Sequence, residues 1–490
     1  MHTARTGPEG GSAWTQSGSP TTPKPGRLAP AGPGSLAKAK GVGSGPGRRL
    51  HTGAHERTAL RRLYRRALLD DLVARGLVQD STDLEAFRSR LAEGPVTVYC
   101  GFDPTADSLH IGHLVPCSSA SVPGRRHRPI ALAGGATGMV GDPSGRSEER
   151  NLLDGETLTR NAEAVTNQLR SFLRFEGDPD LEGQGAVMVD NREWTENVGV
   201  LDFLRDVGKH VTVGTMLGKE SIRARLAGDQ GISFTEFSYM LLQANDFTEL
   251  HDRLGCEMQV GGSDQWGNIT AGIDLIRRRS SGTAHGLTVP LVTRADGAKF
   301  GKTADGTIWL DSARTLPYEM HQYFVNVDDR DVERLLLQLT LVPVDEVAAV
   351  MADHATAPEL RTAQHRLADE VCTLVHGADE TARAGLAARG LFGEEAPTVE
   401  VLDALRGIVP ETFIAAVDLK GEESLIDVLH ATGLCASRGD ARRTVSGGGV
   451  SVNGRRQDPD ALALPDDALV EGRYVLLQKG RRNRHLLVVD

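Results

Sequence analysis

Two histidines three residues apart, His110 and His113, are the groups in this chain best suited to phosphate chemistry. They lie in the run Tyr99-Cys-Gly-Phe-Asp-Pro-Thr-Ala-Asp-Ser-Leu-His-Ile-Gly-His-Leu114. The run predicts a strand ending at Cys100, a Gly/Pro-rich turn, and a helix opening around Ser108. Their spacing places both imidazoles on one face of the first helical turn. A helix N-terminus offers unpaired N–H groups and the positive end of a dipole, which suits phosphate. Two imidazoles beside it could donate to a phosphoryl group as it becomes five-coordinate. Gly112 removes a side chain where a nucleotide base could lie against the backbone. Taken alone, His-x-x-His also fits a metal pair or two surface histidines. With no third ligand nearby in sequence, no metal is expected.

A second constellation is the run Phe234-Thr-Glu-Phe-Ser-Tyr-Met-Leu-Leu-Gln-Ala-Asn-Asp246, which predicts a helix with its N-cap near Ser233 or Thr235. Tyr239, Gln243 and Asp246 recur at i, i+4 and i+7, a spacing that stacks them on one face. Set between Met240, Leu241 and Leu242, they read as pocket lining, with a solvated polar stripe as the alternative. Two glycine-rich segments also bear on ligands. Gly134-Gly-Ala-Thr-Gly-Met-Val-Gly-Asp142-Pro follows a strand and allows close backbone approach to a ligand, but its glycine spacing is wrong for a dinucleotide fingerprint. Gly261-Gly-Ser-Asp264-Gln265 precedes a helical run. Alone, either segment is equally an ordinary loop.

These groups need a scaffold. Val96–Cys100, Ile130–Ala133 and Ala186–Val189 read as buried parallel strands, with helical patterns at 156–173 and 198–207. Strands alternating with helices predict an α/β fold with a parallel sheet, in which a ligand sits beyond the carboxyl ends of the strands. Leu68 to Val73 followed by Gly76 reads as a short amphipathic helix with a glycine stop. From about Leu316 to Leu405 the pattern is helical. After Lys420-Gly421 come two short helical patterns, then Gly449-Val-Ser-Val-Asn-Gly454, where Asn-Gly signals a hairpin. The predicted organisation is an extension over 1–60, a Rossmann-like nucleotide-binding catalytic domain over 61–312, an α-helical domain over 313–420, and a small α+β domain over 421–490.

Composition narrows the class. The formal net charge of -11 argues at first against a nucleic-acid partner. It is unevenly distributed, since residues 1–66 hold 12 Lys+Arg against only Glu9 and Glu56. The first 50 residues hold 11 Gly and 7 Pro without apolar periodicity, so they are expected to stay disordered or to precede the true start codon. Gly and Pro would also break the amphipathic helix of a transit peptide. No apolar run reaches the ~18 residues of a membrane helix. Five cysteines without a CxxC pair fit neither a disulfide framework nor a structural zinc site. A cytoplasmic enzyme is expected.

Residues 110–113 match the HIGH signature of class I aminoacyl-tRNA synthetases, and their setting closely resembles the bacterial-type tyrosyl-tRNA synthetase family over nearly everything from about 67 to 490. Lys299-Phe300-Gly301-Lys302-Thr303 is similar to that family's form of the second class signature, KMSKS. Two lysines on a glycine-containing loop can close over a triphosphate and neutralise charge moving onto pyrophosphate. The resemblance implies a homodimeric tyrosine--tRNA ligase with L-tyrosine, ATP (with Mg2+) and tRNA(Tyr) as partners. It assigns catalysis to His110, His113, Lys299, Lys302 and Thr303. Tyr239, Gln243 and Asp142 are assigned to the substrate α-amino group, and Tyr99 with Asp246 to the phenolic hydroxyl. Cys100, Asp103, Thr105, Gly112, Asp264, Gln265 and Lys302 are assigned to ATP. The last module resembles the RNA-binding domain shared with ribosomal protein S-four, implying tRNA contacts at Arg438, Arg442, Arg443, Arg455 and Arg456. Residues 421–490 hold 10 Lys+Arg and 10 Asp+Glu, so RNA affinity there needs a local patch.

One stretch departs from the family. Where the family continues a Leu/Arg-rich amphipathic helix, this chain reads Cys117-Ser-Ser-Ala-Ser-Val-Pro-Gly-Arg-Arg126. A helix-interior proline costs about 3 kcal/mol or more and each lost core leucine about 2–5 kcal/mol. Compensating frame slips are the expected origin, and a non-catalytic RNA-binding relic is the alternative function. A small adenylyltransferase would also use an HxGH turn, but without the Tyr239 helix or the C-terminal module.

Overall fold

The computed structural model describes residues 68–115, 127–144, 153–175, 185–228, 231–297, 300–303, 306–392 and 397–489, with the side chains of Lys302 and Thr303 excluded. The expectations for residues 1–60, for the segment 117–126 and for Lys299 lie outside the described residues.

Six strands form the first sheet: β1 (Asp80–Ser81), β2 (Thr97–Phe102), β3 (Arg128–Ala133), β4 (Val187–Asp190), β5 (Met258–Gly262) and β6 (His285–Val289). Their order is β1-β6-β5-β2-β3-β4. All pairings are parallel except β1 with β6. The central strands bury both faces, so Ile130, Ala131, Leu132 and Ala133 run together without polar alternation. The chain leaves β2 in one direction for β3 and β4, then returns to the other side for β5 and β6. The order therefore reverses at β2, and the crevice beyond its carboxyl end is where such sheets bind ligands. Three of these strands lie within a residue or two of their predicted positions. The other two parallel strands, β5 and β6, were not anticipated. Met-Gln-Val-Gly-Gly and His-Gly-Leu-Thr-Val carry glycines and polar residues that interrupt the apolar run.

The helix Phe234–Leu254 starts as predicted, with Ser233 Oγ accepting from Glu236 N, and ends where Gly255 takes a left-handed φ of 64°. Helices at Pro317–Val325, Asp329–Leu339, Val344–His354, Thr362–His376, Ala378–Phe392 and Val399–Ala404 follow the sheet domain, agreeing with the helical reading of that stretch. Their core is continuous with that of the sheet: Leu335, Leu336 and Leu367 join one cluster with Phe102, Ile111 and Leu287. Arg75 reinforces this junction. It is 4% exposed, pairs with Asp71 at 2.9 Å, and donates to the carbonyls of Leu337, Thr340 and Val342. A guanidinium at a helix C-terminal end meets its unpaired carbonyls and negative dipole pole.

A short hairpin of β7 (Lys302–Thr303) and β8 (Gly306–Thr307) precedes the helices. The C-terminal sheet contains β9 (Glu411–Ile414), β10 (Val450–Val452), β11 (Arg455–Arg456), β12 (Tyr474–Lys479) and β13 (Asn483–Val489), in the order β11-β10-β12-β13-β9. Asn453 and Gly454 have φ of 47° and 79°, the two positive values that a two-residue hairpin between twisted strands demands. β9 pairs in parallel with β13, so this sheet reaches back before the Lys420-Gly421 break, past the helical pattern that ends near Leu405 but inside the 313–420 bounds expected for the α-helical domain.

Candidate active site

The site is assembled at the carboxyl ends of β2, β3 and β5, with the helix Phe234–Leu254 along one side. At its deepest point Tyr99 is 1% exposed. Its ring lies 5.2 Å from that of Phe247, and its hydroxyl has no hydrogen-bond partner among the described residues. Burial, and then the charge of Asp246, push the Tyr99 phenol well above its usual range. Asp246 is itself buried and accepts from Trp194 Nε1 at 2.7 Å and Asn191 Nδ2 at 3.0 Å. Burial outweighs those two donors and lifts its carboxyl to about 7. A buried hydroxyl facing a buried carboxylate suits a ligand that ends in a hydroxyl.

Toward the opening the side chains form a polar chain. Gln243 Nε2 donates to Gln265 Oε1 at 3.2 Å, and Gln265 Nε2 donates to Asp142 Oδ2 at 2.6 Å. Asn268 Nδ2 reaches Asp142 Oδ1 and Gln265 Oε1. Tyr239 Oη donates to Asp103 Oδ2 at 2.7 Å, while Thr137 Oγ1 donates to Asp103 Oδ1 at 2.8 Å. Tyr239 therefore hydrogen-bonds a residue assigned to ATP, and the charge of Asp142 also reaches its phenol. Burial raises its phenol, helped by the charges of Asp103, Asp142 and Asp246. Three carboxylates converging on one phenol make this a place for an ammonium group. Gly134 is required beside it, because an added Cβ would lie 2.1 Å from Asp103 Oδ1.

The histidine turn differs from its expected form. The helical turn is a 3-10 turn over Ile111–His113, and His110 is its extended cap with φ -120°. A bridge between His110 and Trp309 draws residue 110 out of helical geometry. The two side chains still meet, because each caps the other's turn: Gly112 N donates to His110 Nδ1 and His110 N donates to His113 Nδ1, both at 3.1 Å. The rings stack with centroids 3.9 Å apart. Since each Nδ1 accepts, the proton of a neutral ring sits on Nε2 in either histidine. Burial and the neighbouring His110 depress His113 to about 3, so it is neutral at ordinary pH.

The lysine segment arrives at this turn through Gly301. A Cβ there would lie 2.4 Å from Ile111 Cγ2, and its φ is +77°. Ile308 N donates to Gly301 O, and Ile111 N to Ile308 O. The two motifs, far apart in sequence, are therefore clamped together by backbone. Gly301→Ala is expected to destabilise the fold by about 1–3 kcal/mol. Equilibrium denaturation checks this, and an unchanged midpoint would mean that the segment does not depend on this approach.

Other predicted residues occupy different settings. The Cys100 thiol is buried and pushed up to about 12 by desolvation, so it stays a protonated thiol. Thr105 is exposed, with its N–H turned to Asp103 O. Asp264 is half-buried next to Gln265. In the C-terminal module Arg438 and Arg442 share Glu423. Arg443 lies 3.7 Å from Asp440, and Arg455 2.8 Å from Asp467. Arg456 is exposed and makes no ion pair among the described residues. The sequence reading missed Asn191, Trp194 and Asn268. The first two follow β4 directly, so their position at a strand's carboxyl end was the available signal. Asn268 carried none.

Residues 91–393 match the family described as tRNA synthetases class I (W and Y). Residues 407–487 match the tyrosine--tRNA ligase SYY-like C-terminal domain. The tyrosine--tRNA ligase of Opitutus terrae is 49% identical over 423 residues, spanning 85% of this chain and 98% of that protein. The Acidothermus cellulolyticus ligase is 48% identical over 429 residues, spanning 85% and 97%. Among solved structures, a C-terminally truncated mitochondrial tyrosyl-tRNA synthetase from Aspergillus nidulans superimposes with a TM-score of 0.59 at 30% identity, covering 68% of this chain and 98% of that one. The corresponding Coccidioides posadasii structure gives 0.56 at 31% identity, with 67% and 94% coverage.

Proposed function

From the premise that the chain belongs to the class I tRNA synthetases, and among them to the tyrosine--tRNA ligases, we propose how its side chains divide the two steps of that reaction. The enzyme joins L-tyrosine to ATP as tyrosyl-adenylate, releasing pyrophosphate, and passes the tyrosyl group to tRNA(Tyr). Both nucleophiles belong to substrates, so the protein positions groups and stabilises charge.

Tyr99 and Asp246 hold the phenolic hydroxyl. Asp142, Gln243 and Tyr239 hold the α-ammonium, with Gln265 and Asn268 orienting Asp142. The tyrosine carboxylate then attacks the α-phosphorus, and the bond to the bridging oxygen breaks. His110 and His113 donate Nε2–H to phosphate oxygens as negative charge builds. Lys299, Lys302 and Thr303 meet the leaving pyrophosphate. Cys100, Asp103, Thr105, Gly112, Asp264, Gln265 and Lys302 line the nucleotide, and ATP enters with its own Mg2+. The helical stretch and the C-terminal sheet take the tRNA, where Arg438, Arg442 and Arg455 exchange Glu423, Asp427 and Asp467 for phosphates and Arg443 and Arg456 add charge.

The observation that supports this reading most is the stacked histidine pair, each Nδ1 engaged by backbone N–H, clamped beside the lysine segment. Tyrosine-dependent ATP–pyrophosphate exchange followed by charging of tRNA(Tyr) tests it. Stable tRNA binding without exchange would overturn it in favour of the RNA-binding alternative. The geometry gives that alternative no support, since a relic has no need to keep this constellation.

The active form is a homodimer in the cytoplasm. Val200, Leu201, Val213 and Phe234 are 75, 82, 62 and 77% exposed, an apolar surface that a second copy would cover. Among the described residues no helix is long and apolar enough to cross a membrane. Leu201→Asp is expected to shift the protein toward monomer in sedimentation velocity. A dimer of unchanged stability would place the interface elsewhere.

A further inference from the structure

We propose that Tyr323, Asp331 and Arg334, all on helices beyond the sheet domain, are positioning residues for the pyrophosphate step because they hold both ends of the lysine segment. This rests on the assignment of Lys302 to that step. The segment leaves the sheet domain after Val292 and returns at Phe300, whose N–H donates to Val292 O at 3.0 Å and closes the base of the loop.

On the outgoing side, Asp331 Oδ2 accepts from Ala295 N at 3.0 Å, and Arg334 donates to Thr293 O. Arg334 also donates to Asp331 Oδ1, so the carboxylate and guanidinium brace one another. Asp331 is 3% exposed. A buried carboxylate spent on one loop N–H and one arginine is costly unless its position matters.

On the returning side, Gly301 N donates to Tyr323 Oη at 2.9 Å. The Phe300 ring lies 5.2 Å from that of Tyr323 and 6.0 Å from that of Phe324. Burial holds the Tyr323 phenol above its usual range, so it stays a neutral hydroxyl. Gly301 is also the residue pressed against Ile111 of the histidine turn. Tyr323 thus sets the height at which Lys302, the next residue, leaves the clamp. None of the three side chains is assigned to substrate: they act on the backbone of Thr293, Ala295 and Gly301.

Tyr323→Phe deletes one oxygen and keeps the ring against Phe300, which separates positioning from packing. In pyrophosphorolysis of the tyrosyl-adenylate complex, kcat/KM for pyrophosphate is expected to fall about three- to tenfold, with the dissociation constant for tyrosine and the thermal midpoint unchanged. Asp331→Asn is expected to act in the same direction and Asp331→Ala more strongly. A double-mutant cycle of Tyr323→Phe with Lys302→Ala is expected to be non-additive, since the hydroxyl matters only through the lysine. Full additivity would overturn the inference, as would a silent Tyr323→Phe alongside an impaired Lys302→Ala. A silent Lys302→Ala would instead overturn the assignment of the lysine itself.

Discussion

Asp246→Asn lowers kcat/KM for tyrosine by about two orders of magnitude or more and leaves KM for ATP near its original value. The carboxylate receives Trp194 Nε1 on one oxygen and Asn191 Nδ2 on the other. An amide there must turn its NH2 toward one of these two donors. Losing a charge-assisted acceptor for the substrate hydroxyl costs about 1.5–3 kcal/mol, and leaving a buried donor unpaired adds about 1–3 kcal/mol. Selectivity against phenylalanine should fall with it, because rejection depends on polar groups that phenylalanine leaves unpaired; tyrosyl-tRNA synthetases are themselves the standard case of that rule. Steady-state kinetics with both amino acids read the result.

The same carboxyl gives a pH dependence. With its acidity shifted to about 7 by burial, kcat/KM for tyrosine should rise as pH passes 7 and the carboxylate forms, and Asp246→Asn should lose that limb. Stability runs the other way. A carboxyl whose folded value lies above its unfolded value of about 4 stabilises the fold most at low pH, and that contribution is lost as pH rises through 7. The Asn variant should therefore gain on the native enzyme between pH 5 and pH 8 in thermal midpoint. An identical pH course in both proteins would contradict the burial argument.

His113→Ala lowers kcat for adenylate formation by about 10²–10³, the usual cost of one preorganised donor to developing charge, and leaves tyrosine binding intact. Two effects add here. The ring supplies one Nε2–H, and its Nδ1 holds the backbone N–H of His110. Without it the stacked His110 ring loses its neighbour at 3.9 Å. Since His113 titrates at about 3, its protonation should leave no mark on kcat between pH 5 and 9. A limb in that range that disappears in His113→Ala would show that the ring works as a cation, contrary to the hydrogen-bond pattern. Single-turnover quench-flow separates this step from product release.

Much of this was legible in the chain order. Ser233, Gly255 and the spacing of Tyr239, Gln243 and Asp246 carry a helix and its polar face, because capping and periodicity are local. Asn453-Gly454 carries its hairpin for the same reason. The onset of the histidine turn was misjudged because its geometry is not local: Trp309, pairing with His110, keeps that residue extended. β5 and β6 escaped notice because their burial comes from neighbouring strands and helices, not from their own apolar content.

Residue types and spacing alone determined the alternation of strands and helices, the paired histidines and the polar helix face, for each is specified by near neighbours along the chain. Only the tertiary structure decided which partners those groups meet: Trp194 and Asn191 on Asp246, Asp103 on Tyr239, Ile111 under Gly301, and Tyr323 with Asp331 at the ends of the lysine segment. Those contacts join residues distant in sequence. Their energies arise from burial and from the absence of competing water, two quantities that exist only once the chain has closed on itself.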